Sequence, residues 1–305
     1  MNWNRLGTTF NFNNLRCQLP VLSKVNNNYH LWFSSKNKEG KSEGYMISFN
    51  NLKEITNLNL KKPNKILKSG KIGSYDTYGV MPMQEIRNYL FFIGWTVRKD
   101  VPYFNFTSIA ERTSKNKYKK LGPILGPDII DKGFTGTFFV LRNGIDFLGY
   151  YLSQNGWRKD EHTIINPTYD IKIAKSKNLY EWKKISKSAI TLKKNEAGIS
   201  SATIIKYKNI WHMWFSVRKA KNFRNDPKDS YRIKHAYSKN GLDWFRTNYF
   251  GLVPSNSYKG EDQMVCYPNV FKFQKKIYML YNGNGFGLSG IKVANMDIEY
   301  LNKVN

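Results

Sequence analysis

The chain has 305 residues, 41% of them apolar and 15% aromatic, with 49 Lys and Arg against 22 Asp and Glu, a formal charge of +27. That length and apolar share suffice for one large domain, and two cysteines are too few for a disulfide framework. The charge alone would suit nucleic acid, but lysine far outnumbers arginine and no arginine cluster offers bidentate contacts to bases, which argues for a solvated basic surface instead.

The first residues, Met1 to Arg5, lack the basic and then apolar pattern of an export signal. The longest apolar stretch, Tyr89 to Trp95, is too short to span a bilayer. The expected compartment is therefore the cytoplasm, with Cys17 and Cys266 as free thiols. A field of this sign would still draw an anionic glycan, or an acidic membrane face, to the surface.

From residue 19 onward one module recurs. A short strand opened by Pro or a small residue leads through a polar turn into an aromatic-rich strand. Leu19-Pro20-Val21-Leu22 leads to Tyr29-His30-Leu31-Trp32-Phe33-Ser34, and Val80-Met81-Pro82-Met83 to Tyr89-Leu90-Phe91-Phe92-Ile93-Gly94. Thr137-Phe138-Phe139-Val140 leads through the hairpin signal Asn143-Gly144 to Phe147-Leu148-Gly149-Tyr150-Tyr151. Ala202-Thr203-Ile204-Ile205 leads to Trp211-His212-Met213-Trp214-Phe215-Ser216, and Tyr267-Pro268-Asn269-Val270 to Tyr278-Met279-Leu280-Tyr281-Asn282. The copies lie roughly 60 residues apart, which leaves room for four strands and a functional loop in each. Ala174-Lys175-Ser176-Lys177-Asn178-Leu179-Tyr180-Glu181-Trp182 matches Ala236-Tyr237-Ser238-Lys239-Asn240-Gly241-Leu242-Asp243-Trp244 in frame, with a weaker echo at Ser48-Phe49-Asn50-Asn51-Leu52. These read as a third strand ending in a side-chain-bonded turn, with each Trp packed between neighbouring sheets.

No long capped amphipathic helix interrupts the pattern. The expected fold is all-β: a five-bladed β-propeller of four-stranded antiparallel blades, one domain over residues 1–305. The last copy supplies three strands, so the N-terminal segment, around Trp3 to Phe12, is expected to complete it and close the ring.

In such a ring, polar groups just ahead of each first strand converge at one mouth. These positions hold Gln18, Asp76, Thr135, Glu196, and Glu261 with Asp262. Acidic residues are the minority charge here, and a close carboxylate pair can divide into acid and base, which makes Asp76, Glu196, Glu261 and Asp262 the candidate catalytic groups. Each could equally accept hydrogen bonds from turn amides. Arg218, Asn282 and Asn284 follow second strands and suit sugar hydroxyls or a carboxylate, while Tyr78, Trp95 and Tyr267 suit the face of a pyranose ring. His30, His162, His212 and His235 are scattered, and no metal-ligand spacing or nucleophile elbow occurs, so neither metal nor cofactor is expected.

The modules resemble the five-bladed propellers of the arabinanase, invertase and levansucrase group and the related mannoside phosphorylases, in the form found among bacterial surface-polysaccharide genes. The resemblance covers essentially the whole chain. It is carried most specifically by Tyr75 to Pro82, by Asn195 to Ser200, and by Met264 to Pro268 with Tyr281 to Gly287. It implies a carbohydrate or sugar-nucleotide ligand and glycosidase-like or glycosyl-transferring chemistry, with Glu196 in the place of the general acid. The pattern is incomplete: where the group places an Asp in blades one and three, this chain has Gln18 and Thr135. The alternative is a propeller that binds a glycan without cleaving it.

Overall fold

The structure, a computed structural model, describes residues 3–12, 15–159 and 164–304. His162 lies outside the described residues. The chain is built almost wholly of antiparallel strands. After β1 (Asn4–Phe10) they follow in quartets. The first is β2 (Gln18–Val25), β3 (Asn28–Lys36), β4 (Ser42–Phe49) and β5 (Asn64–Leu67). The second is β6 (Gly79–Ile86), β7 (Tyr89–Thr96), β8 (Phe104–Ser114) and β9 (Lys117–Leu125). The third is β10 (Thr135–Asn143), β11 (Asp146–Lys159), β12 (Ile165–Ser176) and β13 (Lys183–Ile190). The fourth is β14 (Glu196–Tyr207), β15 (Ile210–Lys219), β16 (Arg232–Ser238) and β17 (Phe245–Leu252). A last group, β18 (Cys266–Phe273), β19 (Lys276–Asn282) and β20 (Ile291–Asp297), takes β1 as its fourth member, with Asn4 opposite Asn295 and Phe10 opposite Ile291. Among the described residues no helix is long and apolar enough to cross a membrane.

Single parallel bridges, Ser42 with Gly79 and Tyr169 with Gly198, join the first quartet to the second and the third to the fourth, and side chains link all the quartets in turn. Ser23 Oγ accepts from the Glu85 amide at 2.8 Å, Gln84 Oε1 from Val140 at 2.8 Å, and Thr137 Oγ1 from Ser201 at 2.9 Å. Thr203 Oγ1 accepts from Val270 at 3.0 Å, and Asn269 Oδ1 from Leu22 at 2.9 Å. Each bond runs from one first strand to the next in the same sense, and the last returns to β2. The apolar faces pack between neighbours in the same way. Leu31, Phe33, Ile47 and Phe49 share one buried cluster with Leu280, Ile291 and Val293.

The matching third-strand turns have the same bonding. Ser176 Oγ accepts from the Asn178 and Leu179 amides, Asn178 Oδ1 from Tyr180 and Glu181, and Trp182 Nε1 donates to Leu179 O at 2.7 Å. Ser238, Asn240 and Trp244 repeat each of these contacts. Trp182 meets Phe138 edge-on at 4.8 Å and Phe91 of the preceding quartet at 6.2 Å. Trp244 meets Tyr150 of its preceding quartet at 5.7 Å, so the tryptophans do fill the gaps between sheets. The echo at Asn51 ends differently, in a short 3-10 turn that Asn51 and Glu54 cap reciprocally.

Every first strand carries an irregularity. In β2, β10, β14 and β18 it falls at residues 19–20, 136–137, 201–202 and 267–268; in β6 it falls at 83–84, two residues later in the repeat. Leu19, Ser201 and Tyr267 all adopt positive φ, between 55° and 59°. Such bulges bend a strand and re-aim its side chains, and these occur beside a cavity.

Candidate functional site

At the mouth where the first strands begin lies a cavity of about 560 Å³. Leu19, Thr137, Ser200 and Tyr267, from or beside the bulges, line its depth. Tyr78 and Trp95 form one wall, their rings 5.8 Å apart; Tyr103, Phe134, Tyr169 and Tyr231 form another, with Phe223 and Phe286 nearby. Two glycines let the quartets approach here. A Cβ on Gly79, whose φ is +148°, would lie 2.5 Å from the Ser42 nitrogen, and one on Gly198 would lie 2.7 Å from the Tyr169 ring.

The polar groups of the cavity fall into two kinds. Among the described residues, Ser200 Oγ and Trp95 Nε1 are buried without a hydrogen-bond partner, and the Tyr103 hydroxyl has none either. The charged lining groups are Arg16, Lys36, Arg224 and a single carboxylate, Glu39, which is exposed and paired with Lys41 at 2.9 Å. Behind the Tyr169 and Tyr231 wall sits Arg218, 1% exposed. It donates to Tyr169 Oη at 3.1 Å, to Pro167 O at 2.5 Å and to Lys219 O at 3.2 Å, and its guanidinium lies 4.0 Å from the centre of the Phe223 ring. Burial pushes the Tyr103, Tyr231 and Tyr267 hydroxyls above the usual tyrosine range, so all three stay neutral donors at ordinary pH.

Of the residues singled out from sequence, Gln18, Tyr78, Trp95 and Tyr267 line this cavity and Arg218 backs it. Asn282 and Asn284 serve the backbone. Asn282 donates to Cys17 O at 2.8 Å and accepts from the Leu19 amide at 2.9 Å, pinning the approach to β2, while Asn284 Oδ1 accepts from Gln263 and Met264.

None of the four candidate acids is among the residues that line the cavity. Asp76, 2% exposed, meets Lys120 at 2.5 Å and accepts from Ser74 Oγ. Glu261, 1% exposed, holds Arg5 at 2.7 Å and accepts from Tyr281 Oη at 2.9 Å. Both oxygens of Glu196 accept from Arg246 Nη1 at 2.9 Å, and one also accepts from the Lys193 amide. Asp262 accepts from Asn284 Nδ2 at 2.7 Å. Thr135 is buried, donating to Leu125 O. The convergence expected of residues ahead of the first strands is therefore realised by Gln18, while the acids face cations or side-chain donors of other elements. Sequence reasoning passes over Arg16, Lys36, Tyr103, Ser200, Arg224 and Tyr231. Ser200 belongs to a segment that the resemblance already marks, and Arg224 lies six residues past Arg218. Among the described residues no three His, Cys, Asp or Glu side chains gather as a metal site requires.

No family model matches the chain. The uncharacterized protein Rv1502 of Mycobacterium tuberculosis is 25% identical over 239 residues, 76% of each protein. Among solved structures, one described as a glycoside hydrolase superposes with a TM-score of 0.72 at 16% identity, covering 95% of this chain and 90% of that one. A thermostable family-43 glycoside hydrolase gives 0.67 at 14% identity, covering 94% and 91%. A structure from the GH130 family, described as mannoside phosphorylases containing hydrolases of β-1,2 mannosidic linkages, gives 0.64 at 10% identity, covering 93% and 85%. The chain thus shares the propeller-like β fold of glycoside hydrolase structures.

Proposed function

We propose that the chain is a five-bladed β-propeller, closed by β1, that holds a carbohydrate in the cavity at its mouth and does not cleave it. The five first-strand bonds returning to β2, and the pairing of β1 with β20, support the closed ring. The observation that carries the ligand reading is the cavity wall: aromatic faces at Tyr78, Trp95 and Tyr267 beside hydrogen-bonding groups left unpaired at Ser200 and Trp95. A sugar offers apolar C–H faces to such rings and hydroxyls to such groups.

Hydrolysis by two carboxylates needs the pair ~5–10 Å apart across the substrate. The ion pairs of Asp76, Glu196 and Glu261 favour structural roles for these acids, and therefore binding over cleavage. The glycoside hydrolase likeness favours a carbohydrate ligand over other polar ones, as an analogy of fold. The test is a glycan array of bacterial surface oligosaccharides and sugar nucleotides, probed with the wild type and Trp95→Ala. Selective binding by the wild type that is lost in the variant is expected; an array with no signal would overturn the reading.

A further inference from the structure

We infer that the ligand is an acidic glycan, one bearing a carboxylate or phosphate group, and that this group seats in the corner formed by Arg224 and Tyr103 in front of Arg218. The inference rests on the carbohydrate reading of the same cavity and adds the charge of its ligand.

Three observations converge on it. The first is the balance of charge at the cavity: Arg16, Lys36 and Arg224 line it, and among the described residues none of them forms an ion pair. Elsewhere in the molecule several buried acids have found cations, as Asp131 has found Lys172 and Lys184. The lysine excess of the chain makes unpaired cations common on the surface, but a cavity mouth holding three beside one exposed, already paired carboxylate is a different matter.

The second is Arg218. Its guanidinium is buried, yet among the described residues its hydrogen bonds go to neutral acceptors: a tyrosine hydroxyl and two backbone carbonyls. A buried charge without a counter-charge carries a substantial desolvation cost. Tyrosine rings and carbonyl dipoles offset part of it, and an anion in the adjoining cavity would offset more, because the wall between is a single layer of aromatic side chains.

The third is the donor set facing the same corner. The Tyr103 hydroxyl is unpartnered among the described residues and within electrostatic range of both Arg218 and Arg224. The Tyr169 and Tyr231 hydroxyls meet at 2.5 Å, with Arg218 Nε donating to the first of them. Arg218 thus donates into a hydroxyl pair whose two residues line the cavity, and a charge-assisted bond of this kind suits negative charge nearby. Neutral sugar hydroxyls need no such arrangement.

The test is calorimetric titration with oligosaccharides in matched sets: a neutral chain, its uronate form and its phosphate-bearing form, with inorganic phosphate as a fourth probe. The acidic forms should bind about tenfold tighter than the neutral chain at low salt, and the ratio should narrow as salt rises. Arg224→Gln, an exposed position, should bring the ratio close to one, whereas Lys239→Gln removes the same charge from a remote turn and should leave it. Whichever acidic form binds tighter identifies the group. Equal affinity for neutral and acidic chains would overturn the inference and leave the carbohydrate reading intact. A preference that Arg224→Gln does not alter would overturn the seat assigned to the acid. Inorganic phosphate binding as tightly as the phosphorylated chain would mean an anion site without sugar recognition, and failure of every probe to bind would remove both readings together.

Discussion

Arg246 holds both oxygens of Glu196 and ties the start of β14 to β17. The pair is half-buried, so replacing Glu196 with Gln should cost about 1 kcal/mol or less in urea unfolding while the glycan dissociation constant stays as it is. Trp95→Ala should instead weaken glycan binding roughly tenfold, the scale of one aromatic stacking contact, and lower the urea midpoint as well because the ring is mostly buried. The contrast explains what single residues disclose. Trp95, Tyr78 and Tyr267 are readable because a large ring beside a first or second strand must face either core or cavity. The acids are not, because the groups that neutralise them come from distant elements: Lys120 of β9 for Asp76, Arg246 for Glu196, and Arg5 of β1 for Glu261. No local pattern gives such pairings.

Among elements, the first strands matter most, since they contribute part of the cavity lining and the side-chain bonds between quartets. Thr203→Val keeps the shape of the side chain but strands the Val270 amide in the interior, which should lower the unfolding free energy by about 1–3 kcal/mol, while Thr203→Ser should restore most of the loss. Equal stability of all three proteins in urea would mean that the link is incidental. The strands themselves are legible from alternation and repetition, and the Ser-x-Asn turns from their matching residues, because both are local. The bulges are not: Leu19, Ser201 and Tyr267 take a left-handed backbone that glycine would have advertised. Nor are the linking residues Ser23, Gln84, Thr137, Thr203 and Asn269, which differ in type while sharing one task.

The whole molecule should lose stability on acidification in a particular window. His212 and His235 stack in the interior, Nδ1 of one 3.2 Å from Nε2 of the other. Burial lowers His212 from 6.5 to about 4, with Lys272 adding to the effect, and lowers His235 well below its ordinary value, with His212 adding to it. Both are neutral when folded, so the unfolded chain binds more protons and stability falls as pH drops from 6.5 through 4, on the order of 3 kcal/mol for His212 alone. Burial alone would raise Asp131, but Lys172, Lys184, Ser153 and Tyr151 hold it below the usual carboxylate range, so its contribution is lost in the same direction, at lower pH. Asp170, raised by burial, opposes the trend. Urea midpoints measured from pH 7 to pH 4 should therefore fall, and less steeply in His212→Gln; a parallel fall in both proteins would assign the effect to other groups. The repeat makes the order of strands legible at this scale, whereas the buried His pair is not, since β15 and β16 bring together residues 23 positions apart.

Binding without cleavage is tested by incubating the protein with a glycan that it binds and following the chain length of that glycan by mass spectrometry, in parallel with Glu196→Gln. Tight, saturable binding and an unchanged glycan are expected with both proteins. Shortened or transferred product from the wild type, abolished in Glu196→Gln with binding retained, would contradict binding without cleavage and return Glu196 to the role of a catalytic acid.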